Sequence, residues 1–448
     1  MTIQQNSTSQ RSLKSNIRST RNRIHSILYD SEWIKEVQES YNLPLIPNER
    51  CGLWYVAPHL RKDTAYFKST DGHTNEWSFS TRRLNFHLLD LMLENNGLII
   101  VDSTRRGKTM PDALSKTIPI WCAVLNYIMF GSNETNNWCF VPPSIISKNE
   151  HNSIIKLIPI FAKQVEELGL ITKNKLIEKF QGKYIRPLWI YPGLSLPFEP
   201  PIFEDFIPVI NCVASFRADD GKTTLRKKLN DETSGITIAE YQYVQGAADD
   251  HELWSFNLTP DLLWQHKEEL ELNLQIKNDD ELIEYIQGLK LESSYESSST
   301  DVVSLTNDLS IGKVVDDIDP NTLLQFDVII LLSKQFNFKN LKDDSKQKTY
   351  RYELSSDKKG SNELRKHVET ISSQFNGNSL VLCETGTDLS PAVALLQLTT
   401  KFNTMWEPVL ERPIVTKNTI KKHLAKILEK KKVNPSRATL QSINTYLM

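Results

Sequence analysis

The sequence predicts an α/β fold in two parts, a larger N-terminal α/β domain and a smaller C-terminal one. Two observations carry this. The apolar runs at 98–101, 326–332 and 379–382 are nearly continuous and rich in Ile, Val and Leu, as in strands covered on both faces. Amphipathic stretches with helical spacing lie between such runs, and a Ser-rich segment from Ser293 to about Asn307 separates two series of them. The expected division is a tail at 1–20, a domain at 21–291, a linker or loop at 292–316 and a domain at 317–448.

Composition describes an ordinary globular protein, 39% hydrophobic and 24% charged over 448 residues. With 53 Lys and Arg against 55 Asp and Glu, the formal charge of -2 does not announce a nucleic-acid binder. The distribution is more telling, because both ends are basic and the middle compensates. The five cysteines, Cys51, Cys122, Cys139, Cys212 and Cys383, are widely spaced without zinc-ligand pairs, which favours a reducing compartment. No apolar run approaches the roughly 20 residues of a membrane helix, and no apolar signal core begins the chain. A cytoplasmic protein without a membrane segment is expected.

Taken in order, residues 1–20 are rich in Ser, Gln and Asn and predict a disordered basic tail. Residues 22–39 predict a helix with Ile24, Leu28, Trp33 and Val37 on one face. Residues 51–58 read as a short strand. Ser80 is expected to cap a helix carrying Leu84, Leu88, Leu91 and Met92, which Gly97 stops. The strand at 98–102 then delivers Asp102, Ser103, Thr104, Arg105, Arg106, Gly107 and Lys108 at its carboxyl end, where open α/β sheets bind ligands. A loop so rich in cations and hydroxyls suits a polyphosphate. The tetrapeptide Ser-Thr-Arg-Arg at 103–106 also occurs at 80–83, so two arginine pairs fall in one helix-strand unit.

Helices are expected at 115–130, with Trp121 and Cys122 in the core, and at 147–169. Strands are expected at 185–190 and 209–215. Residues 241–254 read as a strand, a turn of small residues (Gly246, Ala247, Ala248) and an acidic tip, Asp249-Asp250-His251-Glu252. Thr259-Pro260 opens the next helix. Further on come a helix at 362–375, a strand at 379–382, a loop from Cys383 to Ser390 and a helix opened by Pro391. Strand, loop and helix in that order form a phosphate cradle, because successive loop N–H groups point at one spot near a helix N-terminus. From Lys417 to Arg437 the chain carries eight cations against one acid, Glu429, with Ile420, Leu424 and Ile427 on one side. A basic helix of this kind suits an RNA duplex, which shows proteins mainly phosphates and 2'-hydroxyls.

Four segments resemble one known family: Lys68-Ser69-Thr70-Asp71-Gly72-His73, the run from Asp102 to Lys108 with Met110 to Thr117, Asp249 to Glu252, and Cys383 to Asp388. They look like the initiator tRNA phosphoribosyl transferases, fungal and plant enzymes also called tRNA adenosine(64) 2'-O-ribosylphosphate transferases. The resemblance runs from about Ser31 to Met448. It implies transfer of ribose 5-phosphate from phosphoribosyl pyrophosphate to the 2'-hydroxyl of one T-stem adenosine in initiator tRNA, excluding that tRNA from elongation. It also implies a C-terminal domain similar to dual-specificity phosphatases.

Displacement at C1' builds positive charge on the sugar and negative charge on the pyrophosphate. Such a site needs cations for the leaving group, carboxylates for Mg²⁺ or sugar hydroxyls, and a base for the attacking hydroxyl. Lys68, Ser103, Thr104, Arg105, Arg106 and Lys108 are therefore expected on the donor phosphates. Asp102, Asp249 and Asp250 are expected as the carboxylates, the last two as the metal pair. His251 or His73 would be the base, and the residues do not choose between them. Cys383, Gly386, Thr387 and Ser390 are candidates for holding the 5'-phosphate, with Asp388 on the ribose. Contacts to tRNA are expected from Arg82, Arg83, Lys421, Lys422, Lys426, Lys430, Lys431 and Arg437.

Active phosphatase chemistry is disfavoured. The loop has Leu389 where a cysteine-dependent phosphatase needs an arginine, and Leu382 where such enzymes commonly have His. The alternative from another class is an inactive phosphatase-like protein that only binds tRNA. No obligate protein partner is evident.

Overall fold

A computed structural model describes residues 19–131, 138–218, 223–231, 235–289, 302–314, 323–334 and 347–448, with backbone alone for 226–239. Residues 1–18 of the expected tail and 293–301 of the Ser-rich segment lie outside the described residues, while Ser19 and Thr20 already belong to the first helix and its cap. The chain divides into two compact units, one of residues 1–79, 85–164 and 172–292, the other of 80–84, 165–171 and 293–448.

The first unit is built on a parallel sheet of four strands: β1 (Leu45–Pro47), β2 (Leu98–Asp102), β3 (Tyr184–Ile190) and β4 (Phe206–Val213), in the order β1-β2-β4-β3. All five residues of β2 are buried, as its uninterrupted apolar run requires of a strand inside a parallel sheet. The register sets Pro47 beside Val101 and Asp102 beside Val213. The chain therefore leaves β1, β2 and β4 along one edge, the carboxyl edge. The antiparallel hairpin of β5 (Thr224–Asp231) and β6 (Gly235–Gln242) adds two more strands to this unit.

The helix Thr20–Tyr41 begins at Ser19, whose side chain accepts the Asn22 N–H, and ends at Asn42 in the left-handed region. Ile24, Ile27, Ile34 and Val37 pack it into a core with Trp54, Tyr55, Ile99 and Val101. Arg21 and Arg23 are absorbed into this fold, Arg21 pairing with Asp279 at 2.8 Å and Arg23 donating to the carbonyls of Ala247 and Asp249. The segment Ala113–Phe130 is apolar and long enough to cross a membrane, but 89% of it is buried inside the protein. It is a core helix by that measure, and Trp121 and Cys122 lie in it as expected.

Several elements depart from expectation. The apolar run after Cys51 is a short 3-10 turn, Gly52–Tyr55, instead of a strand; in so short a run, apolar content alone does not separate the two. The helix expected from Ser80 starts only at His87, because Asn85 takes a positive φ of 51° and breaks the approach. The helix at 115–130 opens with a π turn, Ala113–Thr117, before the α-helix Ile118–Phe130. The expected helix at 147–169 is two, Lys148–Ile155 and Ile158–Glu166, with Pro159 in the first turn of the second, where its missing N–H is harmless.

The second unit carries a five-stranded sheet in the order β10-β9-β11-β8-β7. Its strands are β7 (Val303–Thr306), β8 (Leu309–Lys313), β9 (Val328–Leu332), β10 (Lys348–Tyr352) and β11 (Ser379–Cys383). β7 corrects the end of the expected linker: Leu305 is buried and the strand pairs antiparallel with β8. The helices Lys358–Gln374, Leu389–Lys401, Lys417–Lys430 and Arg437–Leu447 contribute to the main core of this unit through Leu364, Leu395, Leu424 and Ile443.

Candidate active site

Four stretches of the first unit converge at the carboxyl edge of its sheet. Asn48 to Cys51 leave β1, Asp102 to Lys108 leave β2, and two turns, Tyr66 to His73 and Asp249 to Asp250, close over them. Together with Pro111 and Asp112 they line a cavity of about 350 Å³, within the size range of small-ligand sites.

Two glycines allow the close approach. At Gly246, with φ +64°, an added Cβ would stand 2.5 Å from the Thr104 carbonyl oxygen. At Gly72 it would stand 2.7 Å from Thr117 Oγ1 and 2.9 Å from the Asp112 carbonyl oxygen. Hydrogen bonds then lock the turns. Gln245 Nε2 donates to the Lys108 carbonyl at 2.8 Å, and Thr117 Oγ1 donates to the Lys68 carbonyl at 3.1 Å.

Asp102 forms the buried wall of the cavity, with 4% of its surface exposed. Its Oδ1 accepts the Ser103 N–H at 2.8 Å and its Oδ2 accepts from Asn48 Nδ2 at 2.8 Å. Burial pushes its pKa up to about 7 and nearby Asp249 adds to the rise, while those hydrogen bonds and Arg50 pull the other way. Arg50 reaches 3.9 Å from Asp249 and 4.0 Å from Asp250, from a backbone with φ +89°. On another wall Asp112 takes Lys108 at 3.3 Å and His73 at 3.5 Å on Oδ2, and the buried Lys116 at 3.2 Å on Oδ1. Burial alone would raise the Asp112 carboxyl, but Lys116 and Lys108 outweigh it and hold it below the usual range.

The structure thus brings Lys68, His73, Asp102, Ser103, Thr104, Arg105, Lys108, Asp249 and Asp250 around one cavity. Arg106 is exposed and absent from the lining. His251 is also absent from it; its ring lies against Trp54, 5.8 Å between centroids, with Nε2 3.9 Å from Glu252. Asn48 and Arg50 line the cavity without having been marked by the sequence, and Asp112, inside the marked run Met110 to Thr117, had been given no role.

In the second unit, Cys383, Gly386, Thr387, Asp388 and Ser390 share one loop, which also bonds within itself and to the segment at 434–436. Cys383 is fully buried, and its sulfur accepts the Gly386 N–H at 3.2 Å and lies 3.2 Å from Ser390 Oγ. Asp388 accepts the Ser436 N–H, and the Thr387 carbonyl accepts the Asn434 N–H. Of these bonds only the first takes a loop N–H, that of Gly386; the other two use a carboxylate and a carbonyl of the loop as acceptors.

Of the cations expected on tRNA, Lys421, Lys430 and Arg437 are exposed and Lys422 and Lys426 half-buried. Lys426 and Lys430 lie over the Trp406 ring at 5.6 and 5.8 Å. Lys431 is buried, 8% exposed, which removes it from a solvent-facing row. Arg82 and Arg83 belong to the 80–84 turn of the second unit, both half-buried.

Residues 13–290 match the model of the Rit1 N-terminal domain, and residues 348–447 that of the Rit1 DUSP-like domain. The chain belongs to the Rit1 family. Its second unit accordingly has the expected phosphatase-like fold. Among its Rit1 relatives is the tRNA A64-2'-O-ribosylphosphate transferase of Saccharomyces cerevisiae, 40% identical over 96% of this chain and 92% of that one. An uncharacterized Schizosaccharomyces pombe protein is 34% identical over 96% and 94%. Among solved structures, the PTP-2 phosphatase of Cydia pomonella is 15% identical with a TM-score of 0.26, covering 33% of this chain and 89% of that one. The Yvh1 phosphatase domain of Chaetomium thermophilum is 12% identical with a TM-score of 0.28, covering 33% and 95%.

Proposed function

We propose that this chain transfers ribose 5-phosphate from phosphoribosyl pyrophosphate to the 2'-hydroxyl of adenosine 64 in initiator tRNA, in the cytoplasm. One observation carries the assignment of the site. Three motifs far apart in sequence surround a single cavity, with Lys68, Arg105 and Lys108 beside Asp102, Asp249 and Asp250.

In the reaction the 2'-oxygen forms a bond to C1' of the donor, the bond from C1' to pyrophosphate breaks, and the 2'-hydroxyl proton passes to a base. Arg105, Lys108 and Lys68 neutralise the departing pyrophosphate, which gains charge as the bond stretches. Asp102 takes the proton: it lines the cavity, and a base titrating near 7 is suited to neutral pH. His251 stands outside the lining and the His73 side chain is 62% exposed, whereas Asp102 is buried in the cavity wall, which favours Asp102 over either.

The residues present fit a magnesium ion held largely by substrate. Mg²⁺ takes about one or two carboxylates and completes its shell with waters and phosphates. Adjacent Asp249 and Asp250 offer two, and among the described residues no cluster of three or more metal-ligating side chains competes. Bound there, the ion would shield the pyrophosphate charge.

The exposed cations Lys421, Lys430 and Arg437 supply tRNA phosphate contacts. The test is donor-dependent labelling of initiator and elongator tRNA, with and without Mg²⁺. Label on initiator tRNA alone supports the transferase; tRNA binding without transfer under any metal condition replaces it with a binding module.

A further inference from the structure

We propose that Asn48 is a positioning residue for this transfer, holding Asp102 and the Lys68–His73 segment in one geometry toward the donor. The proposal rests on the reading of the cavity as the donor site. Asn48 is the first residue after β1 and is 5% exposed. Its own N–H donates to the Val101 carbonyl at 2.8 Å, which pins its backbone to β2 one residue before Asp102.

The side chain makes three further bonds. Nδ2 donates to Asp102 Oδ2 at 2.8 Å and to the Phe67 carbonyl at 2.9 Å, and Oδ1 accepts the Phe67 N–H at 2.7 Å. The Phe67 peptide offers one acceptor and one donor, so it admits the amide in one orientation only. That orientation spends the remaining amide hydrogen on Asp102. Phe67 immediately precedes Lys68, and its side chain is itself buried. One amide therefore links the wall that carries the acid to the turn that carries Lys68 and His73.

No other side chain reproduces this set. Ala leaves the Asp102 oxygen and the Phe67 peptide without their partner. Asp keeps the acceptor for the Phe67 N–H but sets a second carboxyl against Asp102. Two carboxyls that close share a proton, so the pair keeps a donor hydrogen when acidic and repels when alkaline. The other charged or titratable groups acting on Asp102 are Arg50 and Cys51 from the β1 loop and Asp249 from the opposite turn. All three remain in both variants.

The experiment measures transfer kinetics against pH for the full chain as wild type, Asn48→Ala and Asn48→Asp, each normalised to folded fraction by circular dichroism. Misplacement of a reacting group by about 1 Å can cost on the order of 10²-fold in rate, so Asn48→Ala should lose kcat on that scale. The KM for phosphoribosyl pyrophosphate should move far less. The activity of Asn48→Asp relative to wild type should climb as pH falls, while that of Asn48→Ala stays level.

Two results overturn the proposal: kcat per folded molecule unchanged in both variants, or parallel pH profiles for Ala and Asp. A wild type that transfers nothing sinks the donor-site reading itself, which is a different outcome from active wild type with indifferent variants. Should Asn48→Ala fail to fold, the pH response of Asn48→Asp decides alone.

Discussion

Lys116 joins the cavity wall from behind: its ammonium, 5% exposed, lies 3.2 Å from Asp112 Oδ1, while Asp112 Oδ2 faces Lys108 and His73. It also reaches Glu150 at 3.3 Å and Thr74 at 3.1 Å. One buried cation thus fixes a carboxylate whose other oxygen meets the cavity. Removing that cation leaves Asp112 with Lys108 and His73 alone and Glu150 without its cation, a cost of about 1–3 kcal/mol for partly buried groups that lose a partner. Lys116→Met is expected to lower stability by that order in denaturant unfolding. A loss below about 1 kcal/mol, the worth of an exposed pair, would show that the pairing is superficial.

Gly246→Ala tests the packing of the acidic turn. The new methyl group would meet the Thr104 carbonyl oxygen at 2.5 Å, and φ of +64° disfavours any Cβ. Backbone on either side must move, at a cost of roughly 1–3 kcal/mol. The displaced turn carries Asp249 and Asp250, so transfer should fall more than stability does. Thermal unfolding and transfer rate on the same sample check this; unchanged activity would separate the turn from the reaction.

Much of this arrangement was legible in the sequence, for identifiable reasons. The β2 run from Leu98 is continuously apolar because both faces of the strand are covered, and its polar ending at Asp102 marked the site. The small residues before Asp249 signalled a close approach, which Gly246 makes against Thr104. Asn48 and Arg50 escaped notice because β1 is only three residues long and shows no periodicity. Asp112 and Lys116 sat within a noted motif at the i,i+4 spacing of an ordinary helical ion pair, but sequence does not show that this pair is buried against the cavity wall. At the Cys383 loop the sequence shows the N–H groups but not that the Gly386 N–H is taken by the Cys383 sulfur.

The raised pKa of Asp102 has a signed consequence for stability. Folding moves it from an ordinary 3.8 to about 7, so between those values the folded protein binds a proton that the unfolded chain has released. Stability from this group is full below 3.8, declines as pH rises to about 7 and is gone above it. At about 1.4 kcal/mol per unit, the span is on the order of 4 kcal/mol. Asp30 is raised in the same direction by its own burial, so the measurement is a difference. The stability of wild type minus that of Asp102→Ala should shrink from pH 4 to pH 7 and then level off. A difference independent of pH would contradict the shift.

Cys383→Ser asks whether the phosphatase-like loop takes part. The thiol is fully buried and bonded within its own loop, and no arginine follows at Leu389. A hydroxyl can accept the Gly386 N–H in its place, so transfer should stay within roughly threefold of wild type, about 0.7 kcal/mol in barrier. A loss of hundreds-fold with the fold intact would return the donor phosphate to this loop.

The most direct test of the donor site compares two neighbouring arginines. Arg105 lines the cavity and Arg106 does not, although both are exposed and adjacent in sequence. The measurement is label transfer from phosphoribosyl pyrophosphate to initiator tRNA by Arg105→Ala and Arg106→Ala, each verified as folded. Loss of a donor aimed at developing charge costs about 10²–10³-fold, so Arg105→Ala should fall by that order and Arg106→Ala should remain near wild type. Equal losses, or a greater loss at Arg106, would contradict the placement of the donor in this cavity.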